Sequence, residues 1–143
     1  MVRARPTHVS QEQGFSLIEL LVVILIIGIL AAIGLPAFLG QRQKAQDTEA
    51  KTAVHAAAVA MKSFFTDSQT YVGATPAELQ KIEPSIGQGQ GATLTISSLT
   101  GNTYVVDVAS RTGNHFIVTE GGGVAFRTCT TAGKAGCPPT GTW

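Results

Sequence analysis

Residues Gly14 to Phe38 read GFSLIELLVVILIIGILAAIGLPAF, and the reading of this run decides how the rest of the chain is organised. From Leu20 to Gly40 no residue is charged, which meets the roughly 20-residue length a helix needs to cross a bilayer. A buried core helix does not suit it, because the run is apolar on every side and the remaining chain is too small to enclose it. A secretory signal would use Arg3 and Arg5 as its basic leader, but no clean small-x-small cleavage site follows and the helical pattern continues past the run. A plain single-span anchor accounts for everything except Glu19. An intramembrane carboxylate is costly and needs a partner, yet no Lys or Arg lies within a helical turn or two of it. Something cationic has to be created or brought in.

Beyond Gly40 the helical period continues through GQRQKAQDTEAKTAVHAAAVAMKSFFTDSQ. Ala50, Val54, Ala57, Met61 and Phe64 recur at spacings of four and three, an apolar stripe, with Asp47, Glu49, Lys51 and Lys62 assigned to the opposite side. One helix is therefore expected from about Phe15 to Phe65, roughly 75 Å long at 1.5 Å per residue. Gly28, Gly34 and Pro36 interrupt its propensity, either as a kink at the proline or as a notch for close helix approach. His55 has no evident partner and is assigned to the surface or an interface.

After Tyr71 the texture changes. Thr75-Pro76-Ala77-Glu78 reads as an N-cap, a first-turn proline and a capping-box Glu, so a short helix is expected to about Ile82, stopped by Pro84. Gly87 to Gly91 reads as a turn or linker. Apolar residues then alternate at Leu94 and Ile96, at Tyr104, Val106 and Val108, through His115 to Glu120, and again at Val124 to Thr128. The intervening Thr100 to Thr103, Gly113-Asn114 and Gly121 to Gly123 are turn signals. The expected fold class is α+β: the long helix with its amphipathic half packed on a small antiparallel sheet of about four strands.

The formal charge of +1 gives no general argument for a nucleic-acid partner. Arg111, Arg127, Lys134 and His115 could form a basic patch near Phe116 or Phe126, but Asp107 and Glu120 nearly offset it, so DNA binding has little support. Asp107, His115 and Glu120 are read as hairpin-end and solvent-facing polars; no catalytic residue, cofactor or metal is assigned. Glu83, Asp107 and Glu120 are too scattered for a calcium cage. Cys129 and Cys137 lack a His-rich set for zinc. They form either a disulfide, if this end faces an oxidising compartment, or two buried thiols.

Gly14-Phe15-Ser16-Leu17-Ile18-Glu19, preceded by a short polar leader with Arg3 and Arg5, resembles the class III signal of type IV prepilins and pseudopilins. The close resemblance covers about Gly14 to Ala45. It implies that a prepilin peptidase cuts between Gly14 and Phe15 and that Phe15 is then N-methylated. It implies an assembly and register role for Glu19, paired with the new amine of a neighbouring subunit. Helix-weakening roles for Gly28, Gly34 and Pro36 follow in the same way, as does a disulfide between Cys129 and Cys137, whose closed loop would be worth about 2–3 kcal/mol.

The implied division is a cleaved leader at 1–14, a transmembrane and filament-core helix at 15–40, its amphipathic half at 41–70, a connecting segment at 71–91 and the head at 92–143. The implied protein is a structural subunit of a type IV pilus, with a pseudopilin of type II secretion or competence, or a minor tip pilin, as alternatives. Its partners would be other copies of itself, the peptidase, the membrane-embedded assembly machinery and, before assembly, the lipid bilayer. The precursor would sit in the cytoplasmic membrane with its leader in the cytoplasm and its head outside.

Overall fold

The structure, a computed structural model, describes residues 14–86, 93–97 and 99–143. Most of the expected leader, with Arg3 and Arg5, and the expected turn at Gly87 to Gly91 lie outside the described residues. The chain divides into two compact units, with the boundary between Ala37 and Phe38.

In the first unit, helix α1 begins at Leu17 and every side chain is exposed. Among the described residues of this unit none is buried. Leu, Ile, Val and Ala carry the helix on local propensity, and exposed Leu and Ile give it an uninterrupted apolar surface. Pro36 lies inside α1, where it leaves the carbonyl of Ala32 without its helical donor. A Cβ added at Gly28 or Gly34 would meet nothing within 4 Å, so neither glycine is required by a contact within the chain.

The second unit holds the remainder of α1, which ends at Ser68, a short helix α2 (Pro76–Ile82) and four strands. These are β1 (Thr93–Ser97), β2 (Thr103–Ala109), β3 (His115–Gly121) and β4 (Val124–Cys129), antiparallel in the order β1-β2-β3-β4. The register places Ile96 opposite Val106, Val106 opposite Val118 and Val118 opposite Arg127. Side chains alternate across a sheet, so Tyr104, Val106 and Val108 share one face with Phe116 and Val118. That face is buried against Val54, Ala57 and Met61 of α1. Ala50 and Ala60 are buried in the same core.

Turn chemistry sets the meander. Gly122 and Gly123 form a two-residue loop between β3 and β4 with φ of 62° and 83°, the pair of positive values a type I′ hairpin demands. At the start of α2, Thr75 Oγ1 accepts the Glu78 amide at 3.2 Å, as the sequence motif requires. The reciprocal half of that capping box is not made by Glu78, whose carboxylate takes Lys81 at 2.6 Å instead.

Two placements differ from expectation. Asp47, assigned to the polar side of the helix, is 0% exposed, and Glu120, read as a solvent-facing strand end, is 5% exposed. Both stand on the buried face of their element.

Candidate functional site

At the N-terminal end, Gly14, Phe15 and Ser16 precede the helix in non-helical backbone, and Phe15 is 86% exposed. Ser16 donates its backbone N–H to Glu19 Oε2 at 2.9 Å, and Glu19 donates its own N–H to Ser16 Oγ at 3.2 Å. This reciprocal pair is a capping box, satisfying two amides that helix geometry leaves without partners. Among the described residues the partner of Glu19 is therefore not a cation but Ser16, and Ser16-Leu17-Ile18-Glu19 spells the S-x-x-E capping pattern. The box starts the helix at Leu17, so the Gly14–Phe15 peptide bond lies outside it. An enzyme that reads extended backbone can take such a bond without first unwinding a turn.

At the other end, Cys129 and Cys137 are joined, with Cα atoms 5.9 Å apart. The loop between them is folded on itself: the amide of Gly133 donates to the Cys137 carbonyl at 3.1 Å and that of Cys137 to Lys134 at 3.0 Å. The tail beyond Pro138 and Pro139 bridges β4 through Thr142 opposite Thr128. Trp143 donates its indole N–H to the Thr128 carbonyl at 2.9 Å and meets the Phe116 ring edge-on at 5.8 Å.

Asp47 ties this loop to the helix. Its Oδ1 accepts Ser110 Oγ at 2.7 Å and Thr112 Oγ1 at 2.5 Å; its Oδ2 accepts Asn114 Nδ2 at 2.7 Å and the Gly136 amide at 2.8 Å. Burial pushes the Asp47 carboxyl up, but the bonds from Ser110, Thr112, Asn114 and Gly136 outweigh it and hold the group below its ordinary value. One turn further along α1, Lys51 Nζ donates to the Gly136 carbonyl at 2.7 Å.

The residues considered for catalysis do not converge. His115 Nδ1 lies 3.0 Å from Asp107 on the outer face of the sheet, while Glu120 is buried on the opposite face. Glu120 Oε2 has no hydrogen-bond partner among the described residues. Its charge and burial both push the Tyr71 and Tyr104 hydroxyls up, burial contributing more.

The basic patch does not form around Phe116 or Phe126, the aromatics the sequence suggests. Phe116 is buried, His115 is engaged by Asp107, and Arg127 stacks on Trp143 at 5.4 Å. Phe126, beside Arg127 on β4, faces the other side of the sheet. His55 is exposed and lines a small cavity with Lys62, Tyr104 and Arg127. Among the described residues no group of three or more His, Cys, Asp or Glu is placed to hold a metal ion.

A family model described as the prokaryotic N-terminal methylation motif matches residues 9–35, a span that includes Gly14, Phe15, Glu19, Gly28 and Gly34. The chain is 46% identical to the type IV major pilin protein PilA of Myxococcus xanthus over 61 residues, 43% of this chain and 28% of that one. It is 35% identical to the type II secretion system core protein G of Pseudomonas aeruginosa over 81 residues, 57% of this chain and 54% of that one. With the fimbrial protein EcpC of Eikenella corrodens the identity is 32% over 102 residues, 71% of this chain and 59% of that one. The chain thus spans between 28% and 59% of the length of these relatives.

Proposed function

We propose that this type IV pilin-like chain is the precursor of a filament subunit, cut between Gly14 and Phe15, N-methylated on Phe15 and polymerised through α1. The observation that carries the reading is the wholly exposed apolar length of α1 behind a methylation-motif start. An apolar surface of that extent has to be covered. Lipid covers it before assembly, and the same stretch of other copies covers it afterwards. One segment of sequence then serves as anchor and as filament core.

Cutting at Gly14–Phe15 gives Phe15 an α-amine. In the uncut chain the Glu19 carboxylate accepts a neutral backbone N–H from Ser16. A cationic amine makes a stronger, charge-assisted bond, and in a low-dielectric setting the attraction is larger still. The amine of a neighbouring copy can therefore fix the register of addition, a role for which buried charge is well suited. Gly28, Gly34 and Pro36 would weaken the helix where subunits pack, since no contact within the chain requires the two glycines. The disulfide at Cys129 and Cys137 supports a head outside the cytoplasm, with the leader inside. In this reading the chain is structural and not catalytic; assembly machinery and its cytoplasmic ATPase supply the work of extraction.

A second reading, a pseudopilin of type II secretion, is favoured by the similarity to core protein G. Mass spectrometry of filaments sheared from cells separates the two. A pilus subunit is expected as the abundant sheared species with an N-methylated Phe15 terminus. A processed chain retained wholly with the cell envelope would favour the pseudopilin. Sheared filaments built of the unprocessed chain, or no processed chain in either fraction, would overturn the proposed cut.

A further inference from the structure

The Asp47 cluster lies outside the exposed apolar stretch of α1 through which polymerisation is proposed, and its geometry bears on a different event. Its donors stand 63 to 89 residues away in sequence, on the β2–β3 turn and in the disulfide loop. The Gly136 amide that it binds belongs to the residue immediately before Cys137. Asn114, also bound to Asp47, gives a second hydrogen bond to the Lys134 carbonyl at 3.1 Å. Cys129, by contrast, is held by the sheet, opposite Phe116 on β3. One cysteine is therefore positioned by strand pairing and the other by a carboxylate on α1.

The loop does not hold this form through apolar burial. Residues 130–134 are all exposed. Ala135 has φ of 52°, in the left-handed region that a non-glycine residue avoids unless its surroundings impose it. Gly136 comes so close to α1 that an added Cβ would lie 2.5 Å from Asp47 Cβ.

We propose that Asp47 is the template on which the Cys129–Cys137 disulfide forms: its carboxylate docks the reduced loop on α1 and presents Cys137 to Cys129. The oxidant is a disulfide-bearing molecule. One cysteine thiolate attacks it, forming a mixed disulfide and releasing one thiolate of the oxidant. The second cysteine thiolate then attacks the protein sulfur of that mixed disulfide, closing Cys129–Cys137 and releasing the other thiolate. Two electrons pass to the oxidant, and the two thiol protons go to solvent and on to the released thiolates. Asp47 contributes only position, raising the effective concentration of one thiol at the other.

The test uses the full chain in detergent micelles, reduced and then equilibrated in glutathione buffers at pH 7. Free thiols are trapped with a maleimide and counted by mass, which gives the equilibrium constant against glutathione. Hydrogen exchange in β1 and β2 reports whether the sheet is intact. Asp47→Ala is expected to lower the constant at least tenfold, about 30 mV for a two-electron couple.

Gly136→Ala is expected to do the same while keeping the carboxylate, because its backbone φ is ordinary and its only conflict is with Asp47. Asp47→Asn, which keeps one acceptor oxygen, should fall between. Val54→Ala destabilises the core without touching the cluster and should stay within twofold of the parent. The template is refuted if Asp47→Ala, with its sheet intact, stays within twofold, or if Val54→Ala falls as far. Should Asp47→Ala lose its sheet, Gly136→Ala decides, and an unchanged constant there is equally fatal.

Discussion

A buried carboxylate costs least when its donors are complete, and Asp47 and Glu120 are opposite cases. Asp47 is fully hydrogen-bonded; Glu120 has an orphan oxygen. Truncating Asp47 to Ala strands buried donors, so a loss of about 3 kcal/mol of head stability is expected in denaturant titration. The pH dependence follows from the lowered Asp47 pKa. A depressed carboxyl contributes its stability above the unfolded value of 3.8 and loses it as pH falls through the folded value. The stability gap between parent and Asp47→Asn should be constant from neutral pH to about pH 5, and close below 3.8. A gap that narrows between pH 7 and 5 would point to another group.

Glu120→Gln goes the other way. Replacing a buried, incompletely paired carboxylate with a neutral isostere should leave the head as stable or more so, by up to about 1 kcal/mol, read as a raised Tm. A clear drop in Tm would mean that the charge is compensated by a group outside this pairing. Both placements were within reach of the sequence. Asp47 lies three residues before Ala50 and seven before Val54, on the apolar stripe, and Glu120 shares strand parity with Phe116 and Val118. Charge, not spacing, led to the wrong face. The convergence of Ser110, Thr112, Asn114 and Gly136 on one carboxylate was beyond local reading, because only the folded meander brings them together.

Among the elements, those with strong period or fixed turn chemistry were legible: the α1 stripe, the β2 and β3 alternation, the Thr75 cap and the glycine-rich hairpin. Helix ends were less so. α1 runs Leu17–Ser68 rather than from Phe15 to Phe65, because Ser16 sets the start. That start yields a prediction about α1. Ser16→Ala removes the side-chain half of the capping box while leaving the Ser16-position amide free to bind Glu19. Glu19→Ala removes the carboxylate itself. If Glu19 acts in assembly and not in processing, Glu19→Ala should be cut normally yet fail to build filaments or lose N-methylation, whereas Ser16→Ala should still polymerise. Processed mass and sheared filament yield measure both. Normal filaments from Glu19→Ala would remove the register argument.

For the whole molecule, the proposed function turns on the change from a chain held in lipid to one that can be added to a filament, a change assigned in that proposal to the Gly14–Phe15 peptide bond. In the chain as it stands Phe15 is in peptide linkage to Gly14 and carries no α-amine, and Glu19 accepts the Ser16 N–H. The proposed cut would place a cationic Phe15 α-amine near that carboxylate. Gly14 is exposed, and a Cβ there would meet nothing within 4 Å, so replacing it costs the folded chain nothing. If the proposed cut is made there, an effect of Gly14→Val is expected to arise in the peptidase, where a β-branched residue restricts entry of the backbone into a cleft. The variant should fold its head with the Cys129–Cys137 bond intact, remain in the membrane, and keep the mass of the uncut chain. Intact-mass measurement of the membrane fraction reads this directly, and a mature mass equal to the parent's would mean that the cut lies elsewhere.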